Sequence, residues 1–434
     1  MANSQESGLS GLIDSFSSLG NDDTSPQQIR HYKVLVTDEL ERIHDTYFAL
    51  WYGIVNPPDP LVIFNQVDIR RELLDQLQSK RLPTLRRQIN SLSKALITNP
   101  ADPHHNNLKP VPKLKLVLKI LSKLDHTMGK IKFAIACIHP ELEAAEVRSD
   151  KDFKQLKSFI CCRLAFKIYE VNGHVCELLQ TYRRLIEDSG HLCDDHEAQK
   201  RAEVLTMTDE CSDAIDKTLK VIAKSELNHI QDEWRLNIES LNETLEIFTE
   251  FIHRTTVRLE EQRRHPMSRD GPTSRHEGNL LHPHPGMSHA RTSVIAAVKL
   301  ARLFLTQLLK ISNDTENFRM VSDLTTRELD IFVTMIATIS VSKKSLVYGL
   351  SEEIGEDQFN DPVIIHQSIT HLLSAPRLIM LMINYIFVPN LSHQQADQPS
   401  PKILYKAWFC QWNRLYHLAI RVFHGGIEFL VPQP

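Results

Sequence analysis

The sequence predicts an all-α protein built from long-helix bundles, two packed bundles of four to five helices each, and three observations carry that prediction. Apolar side chains at Leu114, Val117, Leu121, Leu124, Met128, Ile131, Ile135 and Ile138 advance in steps of three and four, which draws one stripe along a single α-helix. Glycine is scarce, 14 in 434 residues, and no alternating run of β-branched residues marks a strand. Proline stands directly after a capping residue at Ser25-Pro26, Asp361-Pro362 and Ser400-Pro401, where its missing N–H costs a helix nothing.

Taken in order, residues 1–24 are rich in Ser, Gly, Asn and Asp and are expected to be disordered. A helix from 25 to about 54 carries Ile29, Tyr32, Val36, Leu40, Ile43, Tyr47 and Leu50 on one face. Another spans 63–98 and should kink or break at Pro83, because proline removes a donor and clashes with the preceding turn. Helices near 113–139 and 150–188 complete an N-terminal bundle, residues 25–190. Residues 191–262 hold two long helices that bridge to or start the second bundle, the later one striped by Leu227, Ile230, Trp234, Ile238, Leu241, Leu245, Phe248, Ile252 and Leu259. Residues 263–292 are rich in His, Arg and Pro without a hydrophobic period and read as a disordered insertion. Helices near 293–312, 322–348, 361–389 and 401–424 then form a C-terminal bundle, 293–434. Tyr405, Trp408, Phe409, Trp412 and Tyr416 crowd the last of these, as in a central core helix.

Hydrophobic residues make up 42% of the chain and charged residues 24%, enough apolar material for real cores. Seven cysteines form an odd set without a C-x-x-C pair, the pattern of small buried residues in a reducing compartment. The start of the chain lacks a basic, then apolar, signal segment, and the longest strongly apolar run, 378–388, is short of the about 20 residues a bilayer requires. The expectation is a soluble cytoplasmic or nuclear protein with no signal peptide and no transmembrane helix.

Chemistry leaves few traces. The pairs Glu41/His44, Glu226/His229 and Glu250/His253 have the Glu-x-x-His spacing of di-iron bundles, but they flank the apolar stripes and read as solvated faces. The cluster His191, Cys193, Asp194, Asp195, His196 and the group His282, His284, His289 lack the four regularly spaced ligands of structural zinc. No phosphate loop, nucleophile elbow or HExxH is present. No catalytic residue, metal or cofactor is therefore expected, and an enzyme is disfavoured, although catalytic groups gathered from separate helices would leave no motif.

Charge is the stronger signal. Residues 70–132 carry 14 Lys or Arg against four Asp or Glu, inside a chain of net charge −4. Lys113, Lys115, Lys119, Lys123, Lys130 and Lys132 form the candidate patch for an anionic partner, and Lys115, Lys119 and Lys123 step by four along one face. The plainer expectation is that the basic helices face the acidic stretch 187–210 within one bundle or simply form a solvated face. Nucleic acid is disfavoured because no aromatics interleave the basic residues. The leading functional expectation is a protein-interaction or adaptor module with a protein partner. The alternatives are a peripheral binder of anionic membrane through segment 70–132, not favoured, and a metal-dependent helical-bundle enzyme.

Residues 77–96, with Leu82-Pro83-Thr84-Leu85-Arg86-Arg87-Gln88-Ile89-Asn90-Ser91-Leu92, and the preceding Trp51-Tyr52-Gly53 resemble an expanded group of rust-fungus proteins. The resemblance covers the first hundred or so residues, points to a fungal source, and implies no activity. The helical architecture alone resembles bundles of the cyclin-D-binding-protein type, which says nothing of function.

Overall fold

A computed structural model describes residues 26–51, 67–97, 110–139, 150–188, 194–264, 285–320, 324–350, 362–389 and 401–427. It is all-α, and the chain divides into two compact units, residues 1–224 and 225–434.

The first unit contains α1 (Pro26–Trp51), α2 (Val67–Gln76), a π-helical turn (Leu77–Arg81), α3 (Leu82–Ile97), α4 (Pro110–Ile138), a 3-10 turn (Asp150–Leu156), α5 (Ser158–Asp188) and α6 (Asp194–Ile222). Packing closes a ring: α1 lies against α4 and α5, α5 against α6, α6 against α3, and α3 against α4. All eight residues of the α4 stripe are buried, as are Tyr32, Val36, Leu40, Ile43 and Tyr47 of α1. Polar groups tie the ring. The Asn172 amide donates to the Tyr47 carbonyl at 2.8 Å, the Tyr47 hydroxyl donates to Asp125, and Arg42 bridges Glu39 and Asp125. Tyr182 of α5 meets Thr208 of α6, and Arg86 of α3 pairs with Asp216. The helix 194–222, which the sequence left as a bridge, thus completes the first unit.

Pro83 does not break its helix. Leu82 keeps α-helical φ and ψ, and its N–H bonds back to the Leu77 carbonyl, five residues away. The widened turn takes up the residue whose carbonyl the proline ring would otherwise strike, so helical hydrogen bonding continues past the proline. The apolar spacing agrees: buried Leu74, Leu77, Leu82, Leu85, Ile89 and Leu92 hold one face across a step of five at the π turn.

The second unit contains α7 (Glu226–Arg264), α8 (Pro285–Asn313), β1 (Phe318–Met320), α9 (Thr326–Leu350), α10 (Pro362–Ile386), β2 (Phe387–Pro389) and α11 (Pro401–Ile427). Again the helices close a ring, with α7 against α8 and α9, α8 against α11, α9 against α10, and α10 against α11. Trp234 of α7 is fully buried, edge-on to Phe332 at 5.8 Å. The Trp412 indole N–H donates to the Leu300 carbonyl at 2.8 Å, and its ring stacks on Phe304 at 4.5 Å. Tyr405, Phe409, Trp412 and Tyr416 are buried, so the aromatic face of α11 is core.

Three expectations are corrected here. The insertion expected at 263–292 is narrower, because α7 runs through Arg264 and α8 begins at Pro285, a proline suited to a first helical turn; the rest of it, and residues 1–24, fall outside the described residues. Helix α9 starts at Thr326, later than expected, behind a capping box in which the Thr325 N–H donates to the Glu328 carboxylate and the Glu328 N–H to the Thr325 hydroxyl. A short antiparallel pair, Phe318–Met320 with Phe387–Pro389, interrupts the otherwise helical chain, too brief to leave an alternating pattern.

Candidate anion-binding site

The structure divides the predicted lysine patch among different surroundings. Lys113 donates to the Leu96 carbonyl at 3.2 Å, capping the end of α3. Lys115 sits 5.4 Å above the Tyr32 ring. Lys119 is exposed, and Lys130 and Lys132 are half-buried farther along α4. Only Lys123 enters a pocket. The expectation that segment 187–210 faces the basic helices is not met at α4: α4 packs on α1, α2 and α3, while α6 packs on α5 and α3.

The pocket, about 320 Å³, is open to solvent and lined by Lys80, Arg81, Thr84, Gln88, Ser122, Lys123, His126 and Thr127. Two rows of residues at helical spacing build it. Lys80, Thr84 and Gln88 step by four from the π turn into α3, and Ser122/His126 with Lys123/Thr127 step by four on α4. The π turn delivers Lys80 and Arg81 to this mouth, since one extra residue in the turn resets which side chains share a face.

Hydrogen bonds fix the frame. Arg81 donates to the Gln76 side-chain oxygen at 2.9 Å, which orients its guanidinium. The Lys123 carbonyl accepts from the Gln88 amide at 3.2 Å and from the Thr127 hydroxyl at 2.9 Å. The Gln88 side-chain oxygen is buried without a partner. Arg87 holds Thr84 from outside at 3.0 Å. No carboxylate lines the pocket, and the nearby Asp125 is taken up by Arg42 and Tyr47.

Lys80, Arg81 and Lys123, a histidine and hydroxyl groups with no lining acid form a concavity suited to a phosphoryl or carboxylate group. The lining does not make a nucleophile: among the described residues no hydrogen bond joins Ser122 to His126 and no carboxylate stands behind the imidazole. Lys80 and Arg81 belong to the basic segment 70–132 but lie outside the lysine patch read from α4, and His126 gives no charge signal. The signal that finds them is the five-residue step from Leu77 to Leu82 with Pro83 behind it.

The Glu-x-x-His pairs disperse, and two of their histidines depart from the solvated placement expected. Glu41 pairs with Arg183 at 2.8 Å, while His44 is turned inward, 2.9 Å from the Gln180 amide. His229 is buried beside Ile230, because the α7 stripe covers a sector wide enough to include its neighbour. Glu250 and His253 are exposed. Among the described residues no group of three His, Cys, Asp or Glu side chains is placed to hold a metal. The side chains of 191–197 and of 282–289 lie outside the described residues. Six cysteines are free thiols, and Cys193 falls outside.

Residues 70–223 match the family described as Domain of unknown function (DUF8723), and residues 225–425 match Domain of unknown function (DUF8721). The junction between the two matches coincides with the boundary between the compact units. No curated protein matches the chain significantly.

Proposed function

We propose that this chain is a helical-bundle interaction module, an adaptor whose first unit binds an anionic group of its partner, phosphoryl or carboxylate, in the pocket between α3 and α4. The observation that supports the reading is the convergence of Lys80, Arg81 and Lys123 with His126 on one concavity that has no lining carboxylate. Catalysis is not part of the proposal, because the hydroxyl and imidazole there lack the partners that activate a nucleophile. The row Lys115, Lys119, Lys123 does not act as one flat surface, since Lys115 is occupied by Tyr32 and Lys123 turns into the pocket.

Calorimetric titration of the full chain with inorganic pyrophosphate tests the reading. Binding should weaken by about 10- to 100-fold in Arg81→Gln and again in Lys123→Gln, the scale of a lost hydrogen bond to a charged group. Lys119→Gln, on the same helix but outside the pocket, should bind as the wild type does. Pyrophosphate affinity that is absent, or unchanged in Arg81→Gln and Lys123→Gln, overturns the proposal.

A further inference from the structure

A second surface, in the other unit, has different chemistry. Helix α11 is apolar on two separate sides. Its inner side buries Tyr405, Phe409, Trp412 and Tyr416, while Leu404, Leu415, Leu418 and Val422 share an outer sector, the first three 58%, 52% and 58% exposed. On α10, Leu378, Leu381 and Tyr385 are likewise exposed at helical spacing, and α10 packs beside α11. Seven large apolar side chains are thus exposed on two helices that pack together, and clustered exposed apolar side chains mark interaction surfaces.

The charges decide what covers this face. Neither α10 nor α11 contains an Asp or Glu, whereas they carry Arg377, Lys402, Lys406, Arg414 and Arg421. Among the described residues none of these five is paired with a carboxylate. Around the axis of α11, Arg414 and Arg421 border the Leu404, Leu415, Leu418 and Val422 sector, so an aliphatic stripe runs beside a cationic rim. Glu328 accepts from the Tyr385 hydroxyl at 3.3 Å but belongs to the cap of α9. A second copy of this face would bring Arg377, Arg414 and Arg421 against the same three cations. A bilayer surface with anionic headgroups accepts both features at once: the aliphatic side chains enter the acyl boundary and the Lys and Arg heads reach the phosphates.

We propose that the outer face of α10 and α11 docks the protein on an anionic lipid surface as a peripheral, in-plane contact. Helices 326–348 and 365–386 are long and apolar enough to cross a bilayer, but about half of each is buried within the protein. For α10 this inner half includes Leu372, Ile379, Ile383 and Ile386, which a spanning orientation would have to withdraw from the bundle. In-plane docking keeps the core closed. The surface is independent of the pocket between α3 and α4, and either proposal can fail alone.

The test is cosedimentation of the full chain with vesicles of phosphatidylcholine alone and of phosphatidylcholine with phosphatidylserine. Binding is expected only with phosphatidylserine present, reduced at high salt because surface charges are screened over about 10 Å at 0.1 M and about 3 Å at 1 M. Arg414→Glu with Arg421→Glu, and separately Leu415→Gln with Leu418→Gln, should each weaken binding by about tenfold or more while far-UV circular dichroism stays that of the wild type. Arg81→Gln with Lys123→Gln should bind vesicles normally. Wild-type protein that ignores anionic vesicles, or that prefers poly-glutamate to them, overturns the proposal. So does loss of vesicle binding in the Arg81 and Lys123 variant with retention in the α11 variants, or protein released from vesicles only by detergent.

Discussion

Replacing Lys343 by methionine should stabilise the second unit. Lys343, on α9, is 1% exposed, and its amine is buried without a hydrogen-bond partner, 4.6 Å from the centre of the Tyr416 ring. It borders a small cavity otherwise lined by Val294, Ala297, Val298, Leu346, Leu372, Ile420 and Phe423. Burial holds its pKa well below the ordinary 10.5, and burial pushes that of the neighbouring Tyr416 upward, so both groups are stabilised in their neutral forms. An unsatisfied buried polar group costs about 1–3 kcal/mol, and Met fills the same space without an amine, so Lys343→Met should gain about that much where the amine is neutral in the unfolded chain too, above about pH 10.5, and more at pH 7. The sign with pH follows from proton counts. Between the lowered folded pKa and 10.5 the unfolded chain holds a proton that the fold rejects, so wild-type stability rises with pH through that window, by up to about 1.4 kcal/mol per pH unit. The advantage of Lys343→Met must therefore shrink from pH 7 toward pH 10. Denaturant melts followed by tryptophan fluorescence report mainly this unit, which contains Trp234, Trp408 and Trp412 of the chain's four tryptophans. A variant destabilised by more than ~1 kcal/mol, or a gain that stays constant across that pH range, would refute the argument that the amine is buried unpaired.

Other outcomes follow from the packing. Leu121→Ala, at a fully buried position in the centre of α4, should lose about 2–5 kcal/mol in denaturant melts, whereas truncation of exposed Lys119 should change stability by about 0.5 kcal/mol or less. Trp412→Ala removes the stack on Phe304 and the bond to the Leu300 carbonyl and should lose about 3–5 kcal/mol, read by the same melts on Trp234 emission. Iodoacetamide labelling mapped by mass spectrometry at pH 8 should mark exposed Cys410 and spare Cys161 and Cys176, whose thiols burial pushes up to about 12; labelling of either without unfolding would contradict their placement. Residues 1–224 and 225–434, expressed separately, should each show a helical spectrum and a cooperative melt, and an unfolded fragment would mean that the units are not independent.

What the sequence determined by itself was local. The α4 stripe marks a helix and its buried face because residues three and four apart share one side whatever the rest of the chain does, and all eight of its positions are buried. Pro26, Pro362 and Pro401 likewise begin their helices, since a missing N–H is harmless in a first turn. The π turn was also written locally, in the step from Leu77 to Leu82 ahead of Pro83, but a rule that expects proline to kink a helix passes over it. Tertiary structure alone decided which lysine does what. Lys113, Lys115 and Lys123 look alike on α4, and they differ because the end of α3, the ring of Tyr32 and the π turn lie beside them, through pairings of distant segments that no local spacing encodes. The same holds for the helix 194–222, read from the sequence as bridging to or starting the second bundle, which Arg86 with Asp216 and Tyr182 with Thr208 tie into the first unit. It holds for Lys343, too, since burial of a charge-bearing residue depends on four helices closing around it, and periodicity alone cannot distinguish an amine enclosed in that way from one in water.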